Sequence, residues 1–156
     1  MARKMPEPSR QTHLPHALGR VRLMFALGRA LWELAIARLA HAYLSPRAIA
    51  ERNRLSRTTR RGLSSGADAV EQEIDIIAYV IPGVARRLPW RADCLVQALA
   101  AQRWLRARKI GSCISMGVDK PAGGQFGAHA WLTVGDRVVT GGDISSFGQI
   151  FGPDTV

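Results

Sequence analysis

Cys94, His129 and Asp143 are the residues whose types and order could carry out covalent chemistry. Cys94 follows a proline-tryptophan turn and opens a strongly helical run, His129 lies in a run typical of a strand, and Asp143 follows a second such run. A thiolate forms most readily at a helix N-terminus beside an imidazole, and the imidazole needs a group that orients its ring. This order predicts the Cys-His-Asp triad of a cysteine enzyme that transfers acyl groups.

The chemistry assigns each side chain a role. His129 would take the thiol proton and later deliver it to the leaving amine, and N–H groups at the helix start would stabilise the oxyanion. Asp93 is suited to cap that helix. Asp136, at the expected hairpin tip, and Asp93, whose charge beside the thiol would disfavour the thiolate, are alternatives for the orienting group. We prefer Asp143 because it follows the partner strand.

The other cysteine and the other histidines lack this context. Cys113 is expected in the core, since cysteine often behaves as a small buried hydrophobe. His13, His16 and His41 lie in the basic half of the chain and are expected to be surface or packing residues.

Helical spacing of apolar residues and capping signals predict the elements that precede the cysteine and the helix that carries it. The predicted helices cover residues 17–43, 45–54, 67–79 and 93–109. Pro82-Gly83 is expected to bend or end the third helix, and Gly111 to terminate the fourth. Residues 55–66, rich in Ser, Thr, Arg and Gly, are expected to form a connection.

The second half of the chain has the character of a small sheet. Residues 113–118 are β-like, residues 119–127 form a glycine-rich loop, and strands over 129–134 and 137–140 make a hairpin across Gly135-Asp136. Helices followed by antiparallel strands define an α+β fold. We expect a basic helical region over residues 1–66 and a catalytic core over 67–156, packed as one compact domain.

The charge of the chain indicates the kind of partner to expect, and its cysteine content indicates the compartment. The net charge is +10, and residues 1–61 hold 13 Lys/Arg against Glu7, Glu33 and Glu51. This excess favours an acidic partner: nucleic acid, anionic lipid, or an acidic peptide or protein. Two cysteines are too few for a disulfide framework, which favours the cytoplasm. No signal peptide or spanning helix is expected, although an interfacial helix on a membrane surface is compatible with residues 23–44.

Several short motifs together resemble a known family over residues 85–150. They are Leu88-Pro89-Trp90, Asp93-Cys94-Leu95, Ala98-Leu99-Ala100, Trp104-Leu105 and Gly127-Ala128-His129-Ala130-Trp131. These residues resemble the transglutaminase-like leader peptidases of lasso-peptide biosynthesis, the type of C-terminal domain found in microcin-processing proteins. The resemblance implies a transglutaminase-like or papain-like core with Cys94 as nucleophile, His129 as base and Asp143 as orienting acid, and it implies no cofactor or metal. The family's acid commonly lies nearer the histidine, where this chain has Gly141-Gly142.

The resemblance also implies a substrate and partners. The reaction would remove the leader from a ribosomally made precursor, and it would use a separate leader-binding recognition-element protein and an ATP-dependent lasso cyclase as partners. Acyl transfer of the transglutaminase or amidase type is the nearest alternative, because only the acceptor differs. A non-catalytic basic binding module is the other alternative, but no groove-reading or base-stacking motif supports nucleic acid as its ligand.

Overall fold

Four helices and a four-stranded antiparallel sheet make up the part of the chain that the computed structural model describes, residues 19–43, 45–58, 67–119 and 127–152. The helices are α1 (Arg20–His41), α2 (Pro46–Thr58), α3 (Ala67–Ala85) and α4 (Cys94–Ala107). The strands are β1 (Cys113–Asp119), β2 (Gly127–Val134), β3 (Arg137–Thr140) and β4 (Gly148–Phe151). The predicted α+β class is confirmed.

Helix α3 continues through the proline that was expected to bend or end it. Pro82 lies inside the helix, which runs on to Ala85. A proline in a helix interior costs about 3 kcal/mol. Ile77 and Ile81 on this helix are completely buried, and burying one such side chain contributes about 1.5–3 kcal/mol. The apolar face therefore offsets the missing backbone hydrogen bond. The prediction that the helix ends at Pro82-Gly83 was wrong, and the alternative that it bends there stays a prediction.

Helix α4 ends through Lys109 and not through Gly111. Lys109 has a φ of +59°, and the backbone N–H groups of Lys109 and Ile110 donate to the carbonyls of Arg106 and Leu105. This is the paired hydrogen-bonding pattern of a Schellman cap, whose left-handed position is usually a glycine. The buried Ile110 packs in the same core as Leu105, so the apolar contact that accompanies the motif holds Lys109 in this conformation.

The sheet has the strand order β3-β2-β1-β4. The predicted hairpin is present, with β2 and β3 joined at Gly135, whose φ is +59°. The edge strand β4 pairs antiparallel with β1 and was not predicted. Ile114 and Leu132, paired across β1 and β2, pack with residues of α1, α3 and α4 in one buried cluster. The helices therefore share their core with the sheet.

One buried amide ties α2 to the rest of the fold. Asn53 is fully buried, and its Nδ2 donates to the carbonyl of Ile114 at 2.8 Å. Its Oδ1 accepts from the Ile114 backbone N–H and from Gln102 Nε2, both at 2.9 Å. Asn53 thus joins α2 to β1 and α4.

The predicted division of the chain at residue 66 falls in residues 59–66, outside the described residues, and stays a prediction.

Candidate active site

The first turn of α4 leaves backbone N–H groups available beside Cys94. Asp93 is the N-cap, as predicted, and its carboxylate accepts from the Val96 N–H at 3.1 Å. The N–H of Gln97 donates to the Asp93 carbonyl at 3.0 Å. The N–H groups of Cys94 and Leu95 precede the first intrahelical hydrogen bond and have no partner within the helix. Cys94 is half-buried, so its thiol lies at a helix N-terminus that solvent can reach.

His129 lies near the start of β2, paired with Gly117 of β1. Its ring stacks on Phe147, with centroids 4.8 Å apart and planes at 30°, and more distantly on Trp131 at 6.3 Å. Its Nε2 is 2.6 Å from the carbonyl oxygen of Gly141, just beyond the end of β3. The ring is therefore held by one hydrogen bond and two aromatic neighbours, and it is only half-buried.

Packing brings together the elements that carry the thiol and the imidazole. Helix α4 begins at Cys94 and packs against β2, and β3 lies on the other side of β2 from β1. The register of β2 and β3 places Thr140 opposite Leu132. The chain beyond Thr140 therefore returns beside the half of β2 that contains His129.

The three candidate carboxylates occupy different places. Asp143 is exposed, and its Oδ1 accepts from the Ser145 N–H at 2.9 Å. That N–H, together with the Ser145 hydroxyl, holds the pKa of Asp143 below its ordinary value. Asp136 is exposed in the β2-β3 turn, and Asp93 caps α4. The assignment of Asp143 as the orienting acid stays a prediction from the sequence.

Sequence reasoning missed two residues that contact the His129 ring. Gly141 offers its main-chain carbonyl and Phe147 its ring. A contact made by a main-chain carbonyl cannot be predicted from the type of side chain. The sequence did show that two glycines stand where the resembling family commonly has its acid, and this could have pointed to a backbone contact. The other expectations were simpler: Cys113 is buried in β1, and His41 is half-buried at the end of α1. His13 and His16 lie outside the described residues.

The comparison with protein families agrees with this arrangement. The profile of the Transglutaminase-like superfamily matches residues 30–152, which include residues 30–41 of α1, all of α2, α3 and α4, and the whole sheet. The chain belongs to the transglutaminase-like superfamily. Neither the curated proteins nor the solved structures contain a match to it.

Proposed function

We propose that this chain is a cysteine peptidase that removes the leader from a ribosomally made lasso-peptide precursor. The observation that carries the proposal is the pairing of elements. A half-buried cysteine opens a capped helix, and that helix packs against a strand whose histidine already has one ring nitrogen hydrogen-bonded. Membership of the transglutaminase-like superfamily supports acyl-transfer chemistry. The motifs around Cys94 and His129 support the narrower choice of a leader peptidase.

The proposed reaction has two steps. The Cys94 thiol gives its proton to His129 and its sulfur attacks the carbonyl carbon of the scissile peptide bond. The N–H groups of Cys94 and Leu95 bind the oxyanion. The C–N bond then breaks, and His129 protonates the leaving amine. Water, deprotonated by His129, attacks the thioester, and this releases a carboxylic acid and restores the thiol.

The proposal includes two partner proteins. We propose a separate leader-binding recognition-element protein that delivers the precursor, and an ATP-dependent cyclase that uses the freed amine of the core peptide. The positive charge of residues 1–61 supports an acidic contact with the leader or its carrier. Adding the leader-binding protein to the purified peptidase should raise the rate of cleavage.

The test first searches the neighbourhood of the gene for a short open reading frame of precursor type, and then incubates that peptide with the purified chain and analyses the products by mass spectrometry. We expect two fragments from the unmodified enzyme and intact precursor from Cys94→Ala and His129→Ala. The matched control is Cys113→Ala, which removes the other thiol, buried in β1, and should still cleave. A cross-linked product in place of fragments would assign transamidation instead. Unchanged cleavage by Cys94→Ala would show that Cys94 is not the nucleophile.

A further inference from the structure

The hydrogen bond at His129 defines which ring nitrogen carries a proton. A carbonyl oxygen can only accept, and the Gly141 carbonyl lies 2.6 Å from Nε2. The proton must therefore be on Nε2, and in a neutral imidazole Nδ1 is then the acceptor. An acceptor at Nδ1 is what a general base needs if it is to take a proton from a thiol.

The position of this carbonyl depends on a glycine. Gly141 has a φ of +114°, a backbone conformation that residues with a β-carbon rarely adopt. A β-carbon there would collide with the Cβ of Trp131 and lie 3.0 Å from its Cα. Only glycine lets the chain pass so closely over β2, where the carbonyl meets the ring of His129.

The expected carboxylate is held elsewhere. The side chain of Asp143 is exposed and accepts from Ser145 in a local turn. It would have to leave that turn to reach His129, where the Gly141 carbonyl already occupies Nε2.

We propose that the main-chain carbonyl of Gly141 replaces the triad carboxylate as the group that positions His129, with Nδ1 left to serve the Cys94 thiol. This inference rests on the proposed function for the role of the pair. Gly141 acts through His129 and is a positioning residue. A neutral carbonyl orients the ring as a carboxylate would, without adding a full negative charge to the site.

The test measures the thiol directly and needs no peptide substrate. Alkylation of Cys94 by iodoacetamide, located by peptide mapping, is followed against pH for the unmodified chain, Asp143→Asn and His129→Gln. We expect Asp143→Asn to reproduce the unmodified profile and His129→Gln to lose the reactivity at the acidic end. In parallel, the imidazole ¹⁵N spectrum of His129 at neutral pH should show the proton on Nε2.

The outcomes separate the two proposals. If His129→Gln leaves the profile unchanged, the thiol-imidazole pair of the proposed function fails. If His129→Gln changes the profile and Asp143→Asn changes it similarly, the pair stands and the role of the Gly141 carbonyl fails. A neutral His129 ring with its proton on Nδ1 and none on Nε2 would also overturn the inference, because Nε2 could then not donate to the Gly141 carbonyl.

Helix α1 carries a second, independent feature, an exposed apolar stripe opposite its buried face. Its buried residues Ala26, Ala30, Leu34 and Ala37 face the core. At 3.6 residues per turn, the exposed apolar residues fall on roughly the opposite third of the circumference. They are Val21, Met24, Phe25, Leu31, Trp32 and Leu39, which are 44–76% exposed.

The exposed charged residues of α1 are all basic. By the same periodicity, Arg20 and Arg38 lie along one margin of the stripe. Arg22 and Arg29, along the other margin, are engaged within the protein: Arg22 donates to Gln72 Oε1 at 3.3 Å, and Arg29 pairs with Glu33 at 3.7 Å and lies over the ring of Trp104. The one acidic residue of α1, Glu33, is buried and accepts from Arg103 of α4 at 2.7 Å. A second copy of this stripe would bring arginines against arginines, which disfavours self-association.

We infer that α1 lies on an anionic lipid surface, with the stripe at the acyl boundary and Arg20 and Arg38 at the headgroups. Exposed aromatic and aliphatic residues beside a basic margin are typical of interfacial helices. Arginine stems can extend along the apolar surface while their guanidinium groups reach lipid phosphates. No helix in the described ranges is long and apolar enough to cross a membrane.

The experiment is co-sedimentation of the full chain with vesicles of phosphatidylcholine alone or mixed with phosphatidylglycerol. We expect binding to the mixed vesicles only, weakened by salt. Phe25→Ser with Trp32→Ser should abolish it, and Arg20→Gln with Arg38→Gln should weaken it severalfold. The matched control is Arg86→Gln with Arg106→Gln, which removes the same charge from exposed positions on the α3–α4 side.

Thermal unfolding checks that each variant is folded. Absence of binding to mixed vesicles would overturn the inference and favour a protein partner for this stripe. Equal binding to neutral vesicles would overturn the preference for an anionic surface. Equal loss of binding in the Arg86/Arg106 control would show attraction by net charge alone and would overturn the inference as well.

Discussion

At the scale of single residues, Gly141 and Gly142 form a matched pair that isolates the contact with β2. Both have positive φ, +114° and +66°, but a β-carbon at Gly142 would meet nothing within 4 Å. We expect Gly142→Ala to lower the free energy of unfolding by about 1 kcal/mol through backbone strain. Gly141→Ala should cost about 1–3 kcal/mol more, from the collision with Trp131 and from a φ that lies outside the left-handed region open to alanine. Urea unfolding measures both, and equal losses would contradict the close approach.

Thr140, the residue before Gly141, offers a second prediction about a single side chain. Its hydroxyl is buried and has no hydrogen-bond partner among the described residues. Thr140→Val should therefore raise the free energy of unfolding by about 1 kcal/mol, because it removes an unsatisfied polar group at constant shape. The control is Thr133→Val, which removes a hydroxyl that donates to the Cys113 carbonyl and should lower stability. If both variants lose stability in thermal unfolding, a partner for the Thr140 hydroxyl must exist.

At the scale of elements, the C-terminal cap of α4 has a lysine at the left-handed position that glycine usually occupies. Lys109 holds a left-handed conformation that costs a residue with a β-carbon about 1 kcal/mol relative to glycine. We expect Lys109→Gly to raise the free energy of unfolding by up to about 1 kcal/mol. Lys109→Ala keeps the β-carbon and removes the charge, so it should give no gain. A gain in both variants would mean that the charge of Lys109, and not its backbone, carries the cost.

Sequence patterns predicted the elements better than their ends. The periodicity of α4, the cap at Asp93 and the hairpin at Gly135 are local signals, and the structure confirms them. The run past Pro82, the cap at Lys109 and strand β4 depend on tertiary packing or on pairing with β1, and no local pattern encodes either. The same holds for the candidate site. Cys94 and His129 could be picked out by the chemistry of their side chains, whereas the contact from Gly141 could not, because the backbone makes it.

At the scale of the whole molecule, both polar and apolar contacts bind the N-terminal helices to the elements that carry Cys94 and His129. Ala30, Leu34 and Ala37 of α1 are buried in the core that also contains residues of α3, α4 and the sheet. Arg103 of α4 reaches Glu33 of α1. Asn53 of α2 satisfies both backbone groups of Ile114 in β1. The charged residues of α1 are thus partly structural, and the basic composition of this half is not all available to partners.

These contacts predict that residues 67–156 do not fold alone. Without α1 and α2, Ile114 would lose its partner Asn53, and the faces of α3 and α4 that pack against α1 would be exposed. Each buried polar group left unpaired costs about 1–3 kcal/mol, against a total stability of about 5–15 kcal/mol for a typical domain. We expect the 67–156 fragment to give a poorly dispersed amide NMR spectrum, and co-expression with residues 1–66 as a separate chain to restore dispersion. Cooperative thermal unfolding of the fragment alone would instead establish residues 67–156 as a unit that folds by itself.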